Sequence, residues 1–494
     1  MGISIKVVEQ ALSEITADLD NNEFLLNPFF RIPKPTPECM KKYAFLNYKF
    51  SRIRSLFKVF FFIPISLTHI LLSFTCSVIF SYQYKEYKTS RDDFQVLILS
   101  HAIGQNISPE KSDQFFGFIP NYVSRQSKNV LMLYTNHFIF RYKKNKNKLN
   151  MKNDEITRLI LPKFLKPNEH LKYFNTCFNQ SKKCLYLGLK KMFDDPLKSN
   201  LLLEASFLYF SRPTYSNYLM TTRIKMIVAT QPLDSLFMTF EGHSYEQHIM
   251  NQSLRIRNGL RIILYQHSPI TIDQFGIRRF LESNTNAITI LVTGRIYQNL
   301  FQSMSGTPNY IVFGTYKASL ETSRTTSVKS NMTLFSPDGS QSVTREFITL
   351  IKYLCVKAPN EIFCLRLHPN LKRNLLILFQ LKILSRKNNF ILSTLSLHDD
   401  LIRSKFLVYR SSAVGIEALK TGTTPLFYGK KGQQDMNPLA ITTALYSWCS
   451  DAEEILSKIL ANDVISQPAQ QQKIFKNMFS EIDYEKIENI FSQN

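Results

Sequence analysis

The chain has 494 residues, room for two or three ordinary domains, and its 44% hydrophobic and 20% charged content describes a folded core and excludes a disordered polypeptide. With 61 Lys and Arg against 38 Asp and Glu, the net charge of +23 asks for an anionic partner, but no zinc-finger spacing or aromatic RNA-binding signature accompanies it, so nucleic acid is excluded. The 7 cysteines are irregularly spaced and lack a CxxC pair, which gives neither a disulfide framework nor a metal site.

Residues 1–90 read as an N-terminal helical region. Met1 to Ala17 is polar and amphipathic, without the apolar core and cleavage site of a secretory signal. Val59 to Tyr82 runs for 24 residues without Asp, Glu, Lys or Arg. A bilayer core needs about 20. Basic residues lie on both sides of it, including Lys49, Arg52, Arg54 and Lys58 before and Lys85, Lys88 and Arg91 after. Three forms fit: a transmembrane helix, a monotopic segment bent at Pro64 with both ends cytoplasmic, and a buried core helix. The expectation is the monotopic form, on the cytoplasmic face of the inner membrane, with the basic flanks on an anionic leaflet.

Residues 91–316 read as a first Rossmann-like domain. Phe94 to His101 and Val130 to Tyr134 are apolar runs of buried-strand type, with a helix expected to begin at Ser112. Leu159 to Leu208 is apolar and reads as helical. Ser235 to Phe240 is a strand ending in Glu241-Gly-His243, and Ser244 with Gln247 forms a capping box for the next helix. Arg261 to Tyr265 ends in Gln266-His267-Ser268-Pro269, and Ile288 to Val292 ends in Thr293-Gly294-Arg295. Strands alternating with helices predict a parallel α/β sheet.

Residues 317–331, rich in Ser, Thr and Lys, read as a linker, and 332–494 as a second Rossmann-like domain. Its strands end in Ser336-Pro-Asp338-Gly339 and in Arg366-Leu-His368-Pro369. The run Tyr409-Arg-Ser-Ser-Ala-Val-Gly-Ile-Glu417-Ala-Leu-Lys-Thr-Gly422 reads as strand, tight turn and short helix. Ser411 and Ser412 offer hydroxyls at the turn, Gly415 lets the backbone approach a ligand, and free N–H groups at the helix start favour phosphate. Glu417 is placed to reach a ribose hydroxyl.

In an open α/β sheet, ligands sit beyond the carboxyl ends of strands. That singles out Asp338, Arg366, His368, Ser411, Ser412, Gly415 and Glu417 for a phosphorylated donor. Glu241 and His243 are the candidate base or acceptor-orienting pair, with Glu246, His267 and Arg295 at the acceptor side or cleft. Asp194-Asp195 and Asp399-Asp400 read as loop or helix acids, not metal ligands.

The ordered series of these motifs, from Phe94 to Gly429, resembles bacterial surface-polysaccharide glycosyltransferases of the two-Rossmann GT-B fold, relatives of capsule-biosynthesis enzymes. The resemblance implies a nucleotide-sugar substrate bound mainly by the second domain across an interdomain cleft, with Arg366, His368, Ser411, Ser412 and Glu417 on the donor side and Glu241 and His243 on the acceptor side. It implies a glycan or lipid-linked acceptor and no bound metal or cofactor. The family commonly has Pro-Glu-Gly where this chain has Asp338, and Trp where it has Tyr245. A CDP-alcohol polyol-phosphate transferase, a nucleotide-sugar epimerase of the same fold and a non-catalytic polysaccharide-assembly protein are the alternatives.

Overall fold

A computed structural model describes residues 5–19, 22–30, scattered positions between 64 and 79, 93–102, 113, 115–126, 129–136, 156–271, 274–282, 288–319, 330–372, 374–429, 437–442, 446–463 and 468–492. The basic run 141–152, most of the linker and most of 59–82 lie outside the described residues. Among the described residues, no helix is long and apolar enough to cross a membrane.

Two parallel sheets organise the chain. The first holds β1 (Val96–Ala102), β2 (Val130–Asn136), β3 (Thr157–Ile160), β4 (Ser235–Thr239), β5 (Arg261–Gln266), β6 (Ile288–Val292) and β7 (Asn309–Val312). Its spatial order is β3-β2-β1-β4-β5-β6-β7. The second holds β8 (Met332–Ser336), β9 (Ile362–Leu365), β10 (Phe390–Leu392), β11 (Phe406–Tyr409), β12 (Thr424–Tyr428) and β13 (Ser447–Cys449), in the order β10-β9-β8-β11-β12-β13. Every pairing is parallel. β4, β8, β11 and β12 are buried at every position, as strands covered on both faces must be. These are the two Rossmann-like α/β domains expected.

Strand order reverses between β1 and β4 in the first sheet and between β8 and β11 in the second. Crossovers leave in opposite directions at such a switch point, so a crevice opens there for a ligand.

Several local expectations need correction. Leu159 lies in β3, and the helices begin later, at Glu169–Lys190, Pro196–Leu208 and Arg212–Thr230. They enclose a separate apolar core with Val8, Leu12 and Ile15 of the N-terminal helix Ile5–Ala17. The helix start expected at Ser112 lies outside the described residues. Asp113 folds a turn by accepting from the N–H groups of Phe115 and Phe116, both at 2.9 Å, and a helix follows at Ile119–Arg125.

The C-terminal helices Pro468–Met478 and Tyr484–Ser492 reach the first sheet. Ser480 N–H donates to the Thr293 carbonyl at 2.8 Å, and Thr315 N–H to the Ser480 carbonyl at 2.9 Å. Phe475 and Met478 join the core that continues through both domains, while Ile487 and Phe491 pack with Phe237, Ile263 and Tyr265 of the first. Cys177, Cys184, Cys355, Cys364 and Cys449 are free, buried thiols whose burial raises their pKa.

Candidate functional site

The first switch point carries a carboxylate between two imidazoles. Glu241, just beyond β4, lies 3.2 Å through Oε2 from His243 Nε2 and 3.5 Å through Oε1 from His267 Nε2. All three are partly accessible. Gly242 shapes the loop at φ +81°, and a Cβ there would stand 2.7 Å from the backbone nitrogen of Ile277. Only glycine satisfies both demands. Gln274 Nε2 donates to the Glu241 carbonyl at 2.9 Å and fixes the loop from its other side.

Glu246 has a different place from the one expected. It is fully buried, and its Oε2 accepts from the N–H groups of Glu241 at 3.1 Å, Gly242 at 2.8 Å and His243 at 2.8 Å. It therefore builds the loop from beneath and does not face the crevice. The helix Ser244–Ile256 has His243 at its N-cap and Glu246 three residues on, one position earlier than the Ser244–Gln247 capping box expected. Burial pushes the Glu246 carboxyl up to about 7, against the backbone donors and the His243 charge.

His101, at the end of β1, completes the group. Its Nδ1 lies 2.6 Å from Thr135 Oγ1 and its Nε2 3.3 Å from the Tyr245 hydroxyl. Tyr245 in turn stacks on His243 with ring centroids 5.2 Å apart. Beside Tyr245 opens a cavity of about 110 Å³, lined in part by His101, Thr135, Lys163 and Asn217. Burial, with Arg212 nearby, pulls the Lys163 ammonium down to about 8. Sequence reasoning passed over His101 although it stands at a strand end like Glu241. Lys163 gave no signal, because it follows a strand that was read as helix.

The second switch point lies between β8 and β11. After β8, Asp338 Oδ1 accepts from Ser340 N–H at 2.8 Å, and Gly339 passes so close to His368 that a Cβ would stand 3.1 Å from its Nδ1. Burial lowers the His368 pKa, opposed by the Asp338 charge, so the imidazole is neutral at physiological pH. After β11, Ser411 adopts φ +51°, a left-handed conformation rare outside glycine, and Ser412 Oγ accepts from Val414 N–H at 3.4 Å. The helix Val414–Thr421 follows, with Glu417 half-buried in its first turn and Gly422 ending it at φ +68°. Burial, with the charges of Asp113 and Glu417, raises the Tyr316 pKa.

Two of the expected donor residues, Arg366 and Gly415, also make structural contacts. Arg366 Nη1 donates to the Leu395 carbonyl at 2.7 Å and to Asp400 Oδ2 at 2.8 Å, and Ser393 donates to the same oxygen at 2.6 Å. Asp400 is buried, so this guanidinium is its counter-charge. Gly415 lacks a Cβ because one would overlap the ring of buried Tyr409, whose hydroxyl donates to Asn437 Oδ1 at 2.6 Å. Arg295 is exposed at the start of its helix, and its neighbours Thr293 and Gly294 seat the C-terminal segment: Thr293 Oγ1 donates to the Met478 carbonyl at 3.0 Å. Beneath the Ser411 turn, unforeseen from the sequence, Arg410 Nη1 and the Tyr428 hydroxyl each reach Glu346 at 3.1 Å. Among the described residues, no cluster of His, Cys, Asp or Glu is arranged to hold a metal.

No protein-family model matches the chain, and no curated protein sequence matches it. Similar solved structures include the UDP-GlcNAc 2-epimerase of Methanocaldococcus jannaschii in complex with UDP-GlcNAc and UDP, at 10% identity and TM-score 0.49, covering 81% of this chain and 100% of that one. A glycosyltransferase of Rickettsia africae is 10% identical at TM-score 0.44, with coverage of 81% and 98%. A mutant of S. aureus TarM, in complex with Fondaparinux, alpha-GlcNAc-glycerol and UDP, is 9% identical at TM-score 0.44, with coverage of 81% and 100%. At these identities and scores the likenesses are remote and assign no activity.

Proposed function

We infer that the protein is a glycosyltransferase of the GT-B type, moving a sugar from a nucleotide-sugar to a hydroxyl acceptor. The observation that carries this reading is the coincidence of polar clusters with both switch points: Glu241, His243 and His267 beyond the first, and Asp338, His368, Ser411, Ser412 and Glu417 around the second.

In this reading the second cluster holds the donor. Ser411, Ser412 and the first N–H groups of Val414–Thr421 receive the diphosphate, neutral His368 donates a hydrogen bond to it, and Glu417 accepts from the ribose. The first cluster works on the acceptor. The acceptor oxygen forms a bond to the anomeric carbon, the bond from that carbon to the diphosphate breaks, and the hydroxyl proton passes to Glu241. His243 and His267 flank that carboxylate and orient it toward the acceptor hydroxyl. The cavity beside Tyr245 offers space for part of the acceptor. A surface polysaccharide or lipid-linked glycan made at the cytoplasmic membrane face is the acceptor class that suits the basic chain.

The test pairs donor and acceptor chemistry. Purified protein is titrated with UDP-, GDP- and CMP-sugars by calorimetry, then assayed for nucleotide release with and without glycan acceptors. Glu417→Gln is expected to weaken donor binding, while Glu241→Gln leaves binding intact and lowers turnover about 10²–10⁴-fold. Release of a 2-epimer without any acceptor would assign an epimerase instead. Absence of binding to every donor by folded protein would overturn the reading.

A further inference from the structure

We propose that the second domain docks on an anionic lipid surface through the helix Leu375–Leu384 and the edge strand β10, a contact separate from residues 59–82. The helix reads LLILFQLKIL and is apolar nearly all round. Ile377, Leu381 and Leu384 suffice to bury one stripe in the core of the second domain. The opposite side stays in solvent: Leu375 is 80% exposed, Leu376 60% and Phe379 64%. Ile383 is also exposed on that side, and at the end of the sheet Ile391 and Leu392 of β10 are exposed as well. Leu375, Leu376 and Phe379 are not among the buried core residues of this domain, and exposed aliphatic clusters of this kind mark a contact surface.

Charge chooses the occupant. Lys372, Lys382, Arg386 and Lys387 are all exposed around the patch. From residue 362 to residue 398 the chain contains no Asp or Glu. An apolar face whose own segment carries cations and no anion suits the acyl boundary and headgroups of an anionic leaflet. A second copy meeting this face through two-fold symmetry would bring the same cationic rim against itself.

The test places a reporter in the patch. Trp448 is the sole tryptophan, so Phe379→Trp in a Trp448→Phe background gives one local probe. Vesicles of phosphatidylcholine, with or without phosphatidylglycerol, are added, and emission is read together with quenching by brominated acyl chains. A blue shift and quenching are expected with the phosphatidylglycerol vesicles. Adding Leu375→Glu and Leu376→Glu should weaken this partitioning at least about tenfold while the thermal midpoint stays that of the parent, because both positions are exposed. Three results would overturn the proposal. One is no local shift, even where the protein sediments with vesicles through another segment. Another is an equal shift with phosphatidylcholine alone. The third is a shift without lipid that grows with protein concentration, which would make the face a contact between copies.

Discussion

Replacing Glu246 tests whether the loop that carries Glu241 and His243 is built from beneath. Burial lifts this carboxyl from 4.5 to about 7, so the fold prefers its neutral form, and the difference corresponds to about 3 kcal/mol. The sign follows from proton binding. Between those two pH values the folded chain holds a proton that the unfolded chain has released, so this stabilisation is complete below pH 4.5 and is lost as pH rises through 7. Glu246→Gln is neutral throughout. Its amide oxygen can stand where Oε2 stands and keep the acceptor for Glu241, Gly242 and His243, sacrificing only the 3.1 Å bond from Glu241 N–H to Oε1. Glu246→Ala removes the acceptor for all three and should lie about 2–4 kcal/mol below Glu246→Gln at any pH. Thermal midpoints of the three proteins, measured from pH 4.5 to 8, separate the effects. The wild type should fall relative to Glu246→Gln across that window, and Glu246→Ala should lie below Glu246→Gln throughout, with its gap to the wild type narrowing as pH rises. Parallel curves for wild type and Glu246→Gln would refute the claim that burial controls this group. An unchanged Glu246→Ala would refute its role in the loop.

Arg366→Ala should destabilise the second domain by about 3 kcal/mol, because it leaves the buried Asp400 carboxylate without its counter-charge. Arg366→Ala with Asp400→Asn should recover most of that in chemical denaturation, and equal stability of wild type and single variant would count against it. Gly415→Ala should lower stability by about 2 kcal/mol or more through overlap with the Tyr409 ring, whatever its effect on ligand, as a melting curve would show. Gly294→Ala collides with the backbone of Asn477 and Met478 and should speed amide hydrogen exchange across residues 468–492 more than elsewhere. Glu241→Gln should keep the wild-type melting temperature while losing turnover, since its side chain bonds to partly accessible imidazoles and not to the core.

Much of this protein was legible in its residues. The buried strands announce themselves as short apolar runs closed by polar residues, because a strand covered on both faces has no other composition open to it. Glu241, His243, His267, Asp338, His368 and the Ser411–Glu417 turn stand at strand ends, and strand ends are where a parallel sheet exposes ligands. The short β3, β7 and β13 escaped notice because three or four residues carry too little periodicity to separate strand from helix. The individual duties of site residues were decided by long-range contacts. Glu246 points inward to three backbone donors, Arg366 turns to Asp400, and Gly415 yields to the Tyr409 ring, none of which a motif can encode. The return of the C-terminal helices to Gly294 and Thr315 likewise depends on a surface assembled from residues nearly two hundred positions away. Sequence alone therefore determined where chemistry could stand, since local pattern sets the strands and their ends. Only the tertiary structure decided which side chains remain available for it, because burial and counter-charge are properties of the packed chain.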